Sequence, residues 1–130
     1  MSTKKLDRPV NINLLKIRLP LSAFVSITHR LSGILTFFLV LPVIGYLLSI
    51  MLESELSYTR LIDSFNDSYL LRTFVLSLVL IFQYHVFTGV RHILQDFHII
   101  GDSLASSHKS AVITIIIFLV NATISIWLVI

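Results

Sequence analysis

The chain has 130 residues, 55% hydrophobic and only 13% charged, with a formal net charge of +3 and no cysteine. Its mean hydropathy of +0.90, gathered into long apolar runs, excludes an ordinary water-soluble domain of this length. The lack of cysteine excludes thiolate-bound iron–sulfur clusters, covalently attached c-type haem and any disulfide within the chain.

Residues 1–20 read as a basic, cytoplasmic N-terminal segment. Lys4, Lys5, Arg8, Lys16 and Arg18 fall here, and Leu14, Leu15, Ile17 and Leu19 alternate with the last two cations between Pro9 and Pro20. Such a segment suits the membrane interface or the underside of a soluble partner. Cations beside an apolar span are a topology signal, so no nucleic-acid partner is expected. The first run, Leu21–Leu52, is too long for a signal-peptide core and has no small-residue cleavage site. Pro20 suits the start of its helix, and Pro42, deep inside, predicts a kink.

An acidic loop follows, with Glu53, Glu55, Asp63 and Asp67 against Arg60, and with the turn formers Ser64, Asn66, Asp67 and Ser68. Arg72 marks the next boundary. The second apolar run is Tyr69–Phe97. A second loop carries Gly101, Asp102, Ser103 and Lys109, and the third run is Ala111–Ile130. Each run meets the length of about 20 residues that a bilayer requires. The fold class is therefore an all-α membrane protein, with residues 21–130 as a domain of three transmembrane helices within a larger helical bundle. The distribution of cations places the N-terminus in the cytoplasm and the acidic loop and C-terminus outside. The loops are too small for a nucleotide-binding domain and carry no glycine-rich phosphate motif. Any substrate chemistry in water belongs to another subunit.

Ionisable residues at membrane depth cost about 2.5–3.5 kcal/mol each on insertion scales and mark function. On the first span Ser22, Ser26, His29, Arg30 and Gly33 share one stripe; on the second, His85, Gly89, His92 and Asp96 share another, flanked by Arg91. The first span leaves the cytoplasm and the second returns to it. At about 1.5 Å per residue, Arg30 lies roughly 13 Å in, Arg91 roughly 9 Å and His85 roughly 18 Å from the same face. His29, Arg30, Arg91 and His92 can thus share a level, with His85 about two turns deeper. Cations outnumber the single acid Asp96 there, which calls for an anionic ligand. A haem b fits, with His85 as an iron ligand and the shallower cations on its propionates; Gly89 would leave room for a flat ring. His92 is the alternative ligand. The bland readings are a helix–helix hydrogen-bonding histidine, small packing residues at Ser26 and Gly33, and an Arg91 that snorkels to the boundary. His98 and His108 read as surface residues, and Phe82, Tyr84 and Phe87 as packing or lipid-facing aromatics.

Arg8-Pro9-Val10-Asn11, Ser26-Ile27-Thr28-His29-Arg30-Leu31-Ser32-Gly33, and Tyr84-His85-Val86-Phe87-Thr88-Gly89-Val90-Arg91-His92 followed by Asp96 resemble the cytochrome b membrane-anchor subunit of succinate dehydrogenase, respiratory complex II. The resemblance runs in order over most of the chain. It implies a bacterial inner-membrane subunit that anchors the flavoprotein and iron–sulfur subunits on the cytoplasmic side and helps reduce ubiquinone. It implies that His85 is an axial ligand of haem b, with the other ligand from a second anchor subunit. It assigns Ser26 and Arg30 to the quinone site, and places His29, Arg91 and His92 near the propionates. Many members have Ser-Pro-His after the Arg-Pro, where this chain has Val10-Asn11-Ile12, a departure that bears on the contact with the iron–sulfur subunit. The competing readings are a haem-free structural anchor, a fumarate reductase anchor running the reverse reaction, and a small proton-conducting subunit using His29, His85 and His92 as a relay.

Overall fold

A computed structural model describes residues 19–101 and 103–130. The basic residues Lys4, Lys5, Arg8, Lys16 and Arg18, and the Arg8–Asn11 motif, lie outside the described residues. The described chain is entirely helical: α1 (Leu21–Leu35) runs through a π-helical turn (Thr36–Val40) into α2 (Leu41–Glu53). Then come α3 (Glu55–Asp67), α4 (Tyr69–Asp96) and α5 (Leu104–Val129). Three continuous stretches, Leu21–Glu53, Tyr69–Asp96 and Leu104–Val129, are long and apolar enough to cross a membrane.

The π turn ends just before Pro42. Its closing bond runs from the Leu41 N–H to the Thr36 carbonyl, five residues back. Proline lacks an N–H and its ring crowds the carbonyl four residues earlier, so the preceding backbone is where helical register must give. The irregularity expected at Pro42 thus takes the form of a widened turn upstream of it.

The segment read as an acidic loop is instead mostly the helix α3. Ser54, in extended conformation, caps it by accepting a hydrogen bond from the Ser57 N–H at 3.1 Å, and Glu55 sits in its first turn, where the helix dipole favours an acid. Leu61, Ile62 and Phe65 recur on one face and, with Leu47 and Met51 of α2 and Leu71 and Val75 of α4, line an apolar cleft of about 200 Å³. Ser64, Asn66 and Asp67 are helical; only Ser68 keeps a terminal role, capping α4 through the Leu71 N–H at 3.2 Å.

α5 begins seven residues before Ala111, at Leu104, because Ser103 caps it through the Ser106 N–H at 3.1 Å. Lys109 is therefore on a helix, not in a loop. α4 ends in a Schellman motif: the His98 N–H bonds to the Gln95 carbonyl at 2.9 Å and the Ile99 N–H to the Leu94 carbonyl at 3.0 Å. The left-handed residue this requires is His98, with φ 55°, rather than the nearby Gly101.

α4 is the central element, packed against α1, the π turn, α3 and α5, while α1 also touches α5. The buried positions include Val25, Val40, Leu78 and Ala111, together with the polar Ser32, Thr88 and Arg91. Many large apolar side chains, among them Phe37, Phe38, Leu70 and Trp127, are exposed, so much of the apolar surface faces outward, toward lipid or other chains. Ser32, Thr88 and Ala111 supply the small and polar contacts between helices that a bilayer favours, beside the apolar Val25, Val40 and Leu78.

Candidate functional site

The two polar stripes meet where α1 crosses α4. Each helix contributes a histidine that seats on a glycine of the other. A Cβ on Gly33 of α1 would stand 3.1 Å from His85 Cε1, and one on Gly89 of α4 would stand 3.2 Å from His29 Nε2. Both are closer than a side-chain carbon ordinarily approaches, so the absence of that carbon is what admits the rings. The space at Gly89, expected for a macrocycle, is filled by the His29 imidazole. The rings themselves stack: His29 and His85 have centroids 4.5 Å apart and planes 3° from parallel, and His92 lies against His29 at 4.8 Å, tilted by 43°.

Ser32, one turn beyond His29 and buried, joins the two histidines. Its Oγ is 2.7 Å from the His29 carbonyl oxygen, to which it donates, and 3.2 Å from His85 Nδ1. His85 Nε2 has no hydrogen-bond partner among the described residues. His92 Nε2 is buried and equally without one. An unpaired polar atom in a dry setting costs about 1–3 kcal/mol; among the described residues Thr36 Oγ1, Arg72 Nε and Gln83 Oε1 are buried in the same way. No three His, Asp or Glu side chains among the described residues are grouped to hold a bare metal ion. The histidines can offer single nitrogen donors, but not a chelate.

The other candidates divide. Arg30 projects outward and is exposed, and Ser26 one turn earlier is half-buried; neither makes a side-chain hydrogen bond among the described residues. Asp96 is exposed at the end of α4. Arg91 is only 3% exposed and is directed to α5, not to the histidines. Its Nε donates to Ser110 Oγ at 3.1 Å, and its Nη2 to the Ser107 carbonyl and Oγ, each at 3.0 Å. Gln95 Nε2 adds a bond to the same Ser107 Oγ at 3.1 Å. A second polar tie between these helices runs from Gln83 Nε2 to Ser125 Oγ at 2.8 Å. Tyr84, read as packing, hydrogen-bonds the Thr28 hydroxyl across α1 and α4 while its ring meets Phe118 of α5 edge-on at 5.1 Å.

Sequence reasoning therefore missed Ser32, Thr28 and the α5 serines. Ser32 carried a signal, since it is three residues from His29 and so on the same stripe. Ser107, Ser110 and Thr114 also fall on one helical face, but only once α5 is extended back to Leu104.

Comparison with known proteins agrees with this architecture. The family described as succinate dehydrogenase/fumarate reductase transmembrane subunit matches residues 4–126. A relative from Coxiella burnetii (strain RSA 493 / Nine Mile phase I), named succinate dehydrogenase cytochrome b556 subunit, is 34% identical over 89 residues, covering 68% of this chain and 70% of its own length. With three candidate spans, apolar surface turned outward and a family match over nearly its whole length, the chain belongs to the transmembrane subunits of succinate dehydrogenase and fumarate reductase.

Proposed function

We propose that this subunit binds haem b through His85, with the second axial ligand from another anchor subunit, and forms part of a ubiquinone-reduction site through Ser26 and Arg30. The observation that carries the reading is the histidine cluster between α1 and α4. Among the described residues it leaves His85 Nε2 unpartnered and His92 Nε2 buried without a partner, which suits one nitrogen donor to iron and one donor to a carboxylate. The relative's name, cytochrome b556 subunit, supports haem as the group. When bound, haem b supplies one-electron transfer. His85 would hold the iron; His29, Arg30 and His92 would meet the propionates. Arg91 joins them only through Nη1, because Nε and Nη2 are directed to α5.

The substrate side follows from charge. A quinone carbonyl needs a hydrogen-bond donor, and adding electrons builds negative charge on its oxygen that a fixed cation stabilises. The Ser26 hydroxyl and the Arg30 guanidinium provide both on one helix face, and neither makes a side-chain hydrogen bond among the described residues. Two electrons arriving from the iron–sulfur subunit and two protons from cytoplasmic water would complete reduction to the quinol. The flavoprotein and iron–sulfur subunits would dock on the cytoplasmic side, where the cations of residues 1–20 favour retention. A haem-free anchor is the alternative. The test is the reduced-minus-oxidised absorption spectrum of the purified complex with and without His85→Leu. Loss of the low-spin haem bands in an assembled complex supports the reading, and unchanged bands refute it.

A further inference from the structure

We infer that Ser32 is a positioning residue that fixes the tautomer of His85, keeping the imidazole proton on Nδ1 and the lone pair on Nε2. A serine hydroxyl has one proton to give. In this structure the shorter contact, 2.7 Å to the His29 carbonyl, takes it. Toward His85 Nδ1, at 3.2 Å, the oxygen can then only accept, so Nδ1 must be the nitrogen that carries hydrogen. Neutral imidazole has one protonated nitrogen, so Nε2 is left with its lone pair. Ser32 is only 6% exposed, so water does not compete for the role. Gly33, the next residue, holds the ring from the same helix, its absent Cβ 3.1 Å from Cε1.

The consequence rests on the proposed haem ligation by His85. A ligating histidine is oriented and made more basic by what its other nitrogen donates to, and removing such a partner commonly costs about 10–100-fold in metal affinity. A neutral hydroxyl is a weaker acceptor than the carboxylate or carbonyl more often found there. It fixes direction while adding little electron density to the ring, which suits a centre that must accept electrons readily.

The experiment uses the assembled complex purified from membranes, with Ser32→Ala, Ser32→Thr and His85→Leu, and reads haem content per flavin, the electron paramagnetic resonance signals of the oxidised haem and its midpoint potential. Ser32→Ala should weaken haem retention and move the potential upward by up to a tenfold change in the oxidised-to-reduced equilibrium, about 59 mV for one electron. Ser32→Thr, which keeps the oxygen, should restore both. Ser32→Ala with unaltered content, signals and potential overturns the inference while leaving the haem assignment intact. Equal haem loss in the alanine and threonine variants makes Ser32 a packing residue and also overturns it. Haem bands that survive His85→Leu sink the underlying ligation, and the inference with it.

Discussion

The imidazoles of His29 and His85 lie face to face, 4.5 Å between centroids and 3° from parallel, although they come from different helices. Each ring lies over a glycine of the opposite helix, His29 over Gly89 and His85 over Gly33. The contact is thus reciprocal, and it fixes the depth of one helix relative to the other. Sliding α1 along α4 by one residue would drive both rings into backbone that carries a side chain.

That reciprocity predicts which glycines matter. Alanine at Gly33 or Gly89 would place a carbon 3.1 or 3.2 Å from an imidazole atom, whereas at Gly45 it would meet nothing within 4 Å. Gly45→Ala should be neutral, or stabilising by up to about 1 kcal/mol from helix propensity. Gly33→Ala should displace His85 by a few tenths of an ångström and lower haem occupancy in the purified complex, and Gly89→Ala should act through His29. Equal effects at all three positions, measured as haem per flavin, would refute the seating argument.

Much of this architecture was legible in the residues, for a physical reason. In lipid every backbone group must be satisfied within a segment, so long apolar runs can only be helices, and Leu21, Tyr69 and their successors announce themselves. α3 was obscured by its polar composition, yet Tyr58, Leu61, Ile62 and Phe65 repeat at helical spacing and would have revealed it. The histidines and Gly33 and Gly89 were legible as stripes. The direction of Arg91 was not, because it depends on serines that α5 presents only after folding, and nothing near Arg91 in sequence encodes them.

Arg91 should therefore be a structural tie as well as a charge. Its replacement by Leu removes three charge-assisted bonds between α4 and α5, leaving Ser107 Oγ with Gln95 and Ser110 Oγ with the Ser107 carbonyl. Such bonds contribute about 1.5–3 kcal/mol each in favourable settings, although losses within one network do not add. We expect Arg91→Leu to lower the thermal stability of the detergent-solubilised complex by about 2–4 kcal/mol equivalent. Lysine should rescue only partly, since it lacks the planar fork that spans two serines. The double variant Ser107→Ala/Ser110→Ala keeps the cation and removes two of its partners. If it reproduces the stability loss while haem potential stays unchanged, the tie and any propionate contact are separate functions of Arg91.

Tyr84 makes a weaker prediction. The Thr28 hydroxyl already has a backbone acceptor, the Phe24 carbonyl at 2.9 Å, so the Tyr84 hydroxyl is the donor between the helices. Tyr84→Phe removes that bond, yet leaves Thr28 satisfied and the edge-on contact with Phe118 in place. Interhelical hydrogen bonds in membranes average about 0.6 kcal/mol, and the loss should be of that order. A destabilisation several times larger, by thermal unfolding of the complex, would show that Tyr84 serves something besides α1–α4 packing.

The quinone assignment is tested most directly by separating two activities of the assembled enzyme. Ser26 and Arg30 sit one turn apart, the first half-buried and the second exposed, with no side-chain hydrogen bond among the described residues. On the proposed reading they serve a quinone lying between α1 and a neighbouring subunit. Removing one donor from a site that stabilises developing negative charge costs about 10²–10³ in rate. The Arg30 site is partly exposed, which screens its charge, so Arg30→Leu should fall near the lower figure. Ser26→Ala removes a neutral donor that water can replace in part, and about a tenfold loss is expected. Succinate oxidation by a soluble artificial acceptor bypasses the membrane site and should stay within about twofold of normal in both variants, a free-energy change below about 0.5 kcal/mol. Loss of both activities in a complex of full subunit composition would mean that Ser26 and Arg30 support assembly rather than quinone. Normal quinone turnover in both would move the site to surfaces contributed by the partner subunits.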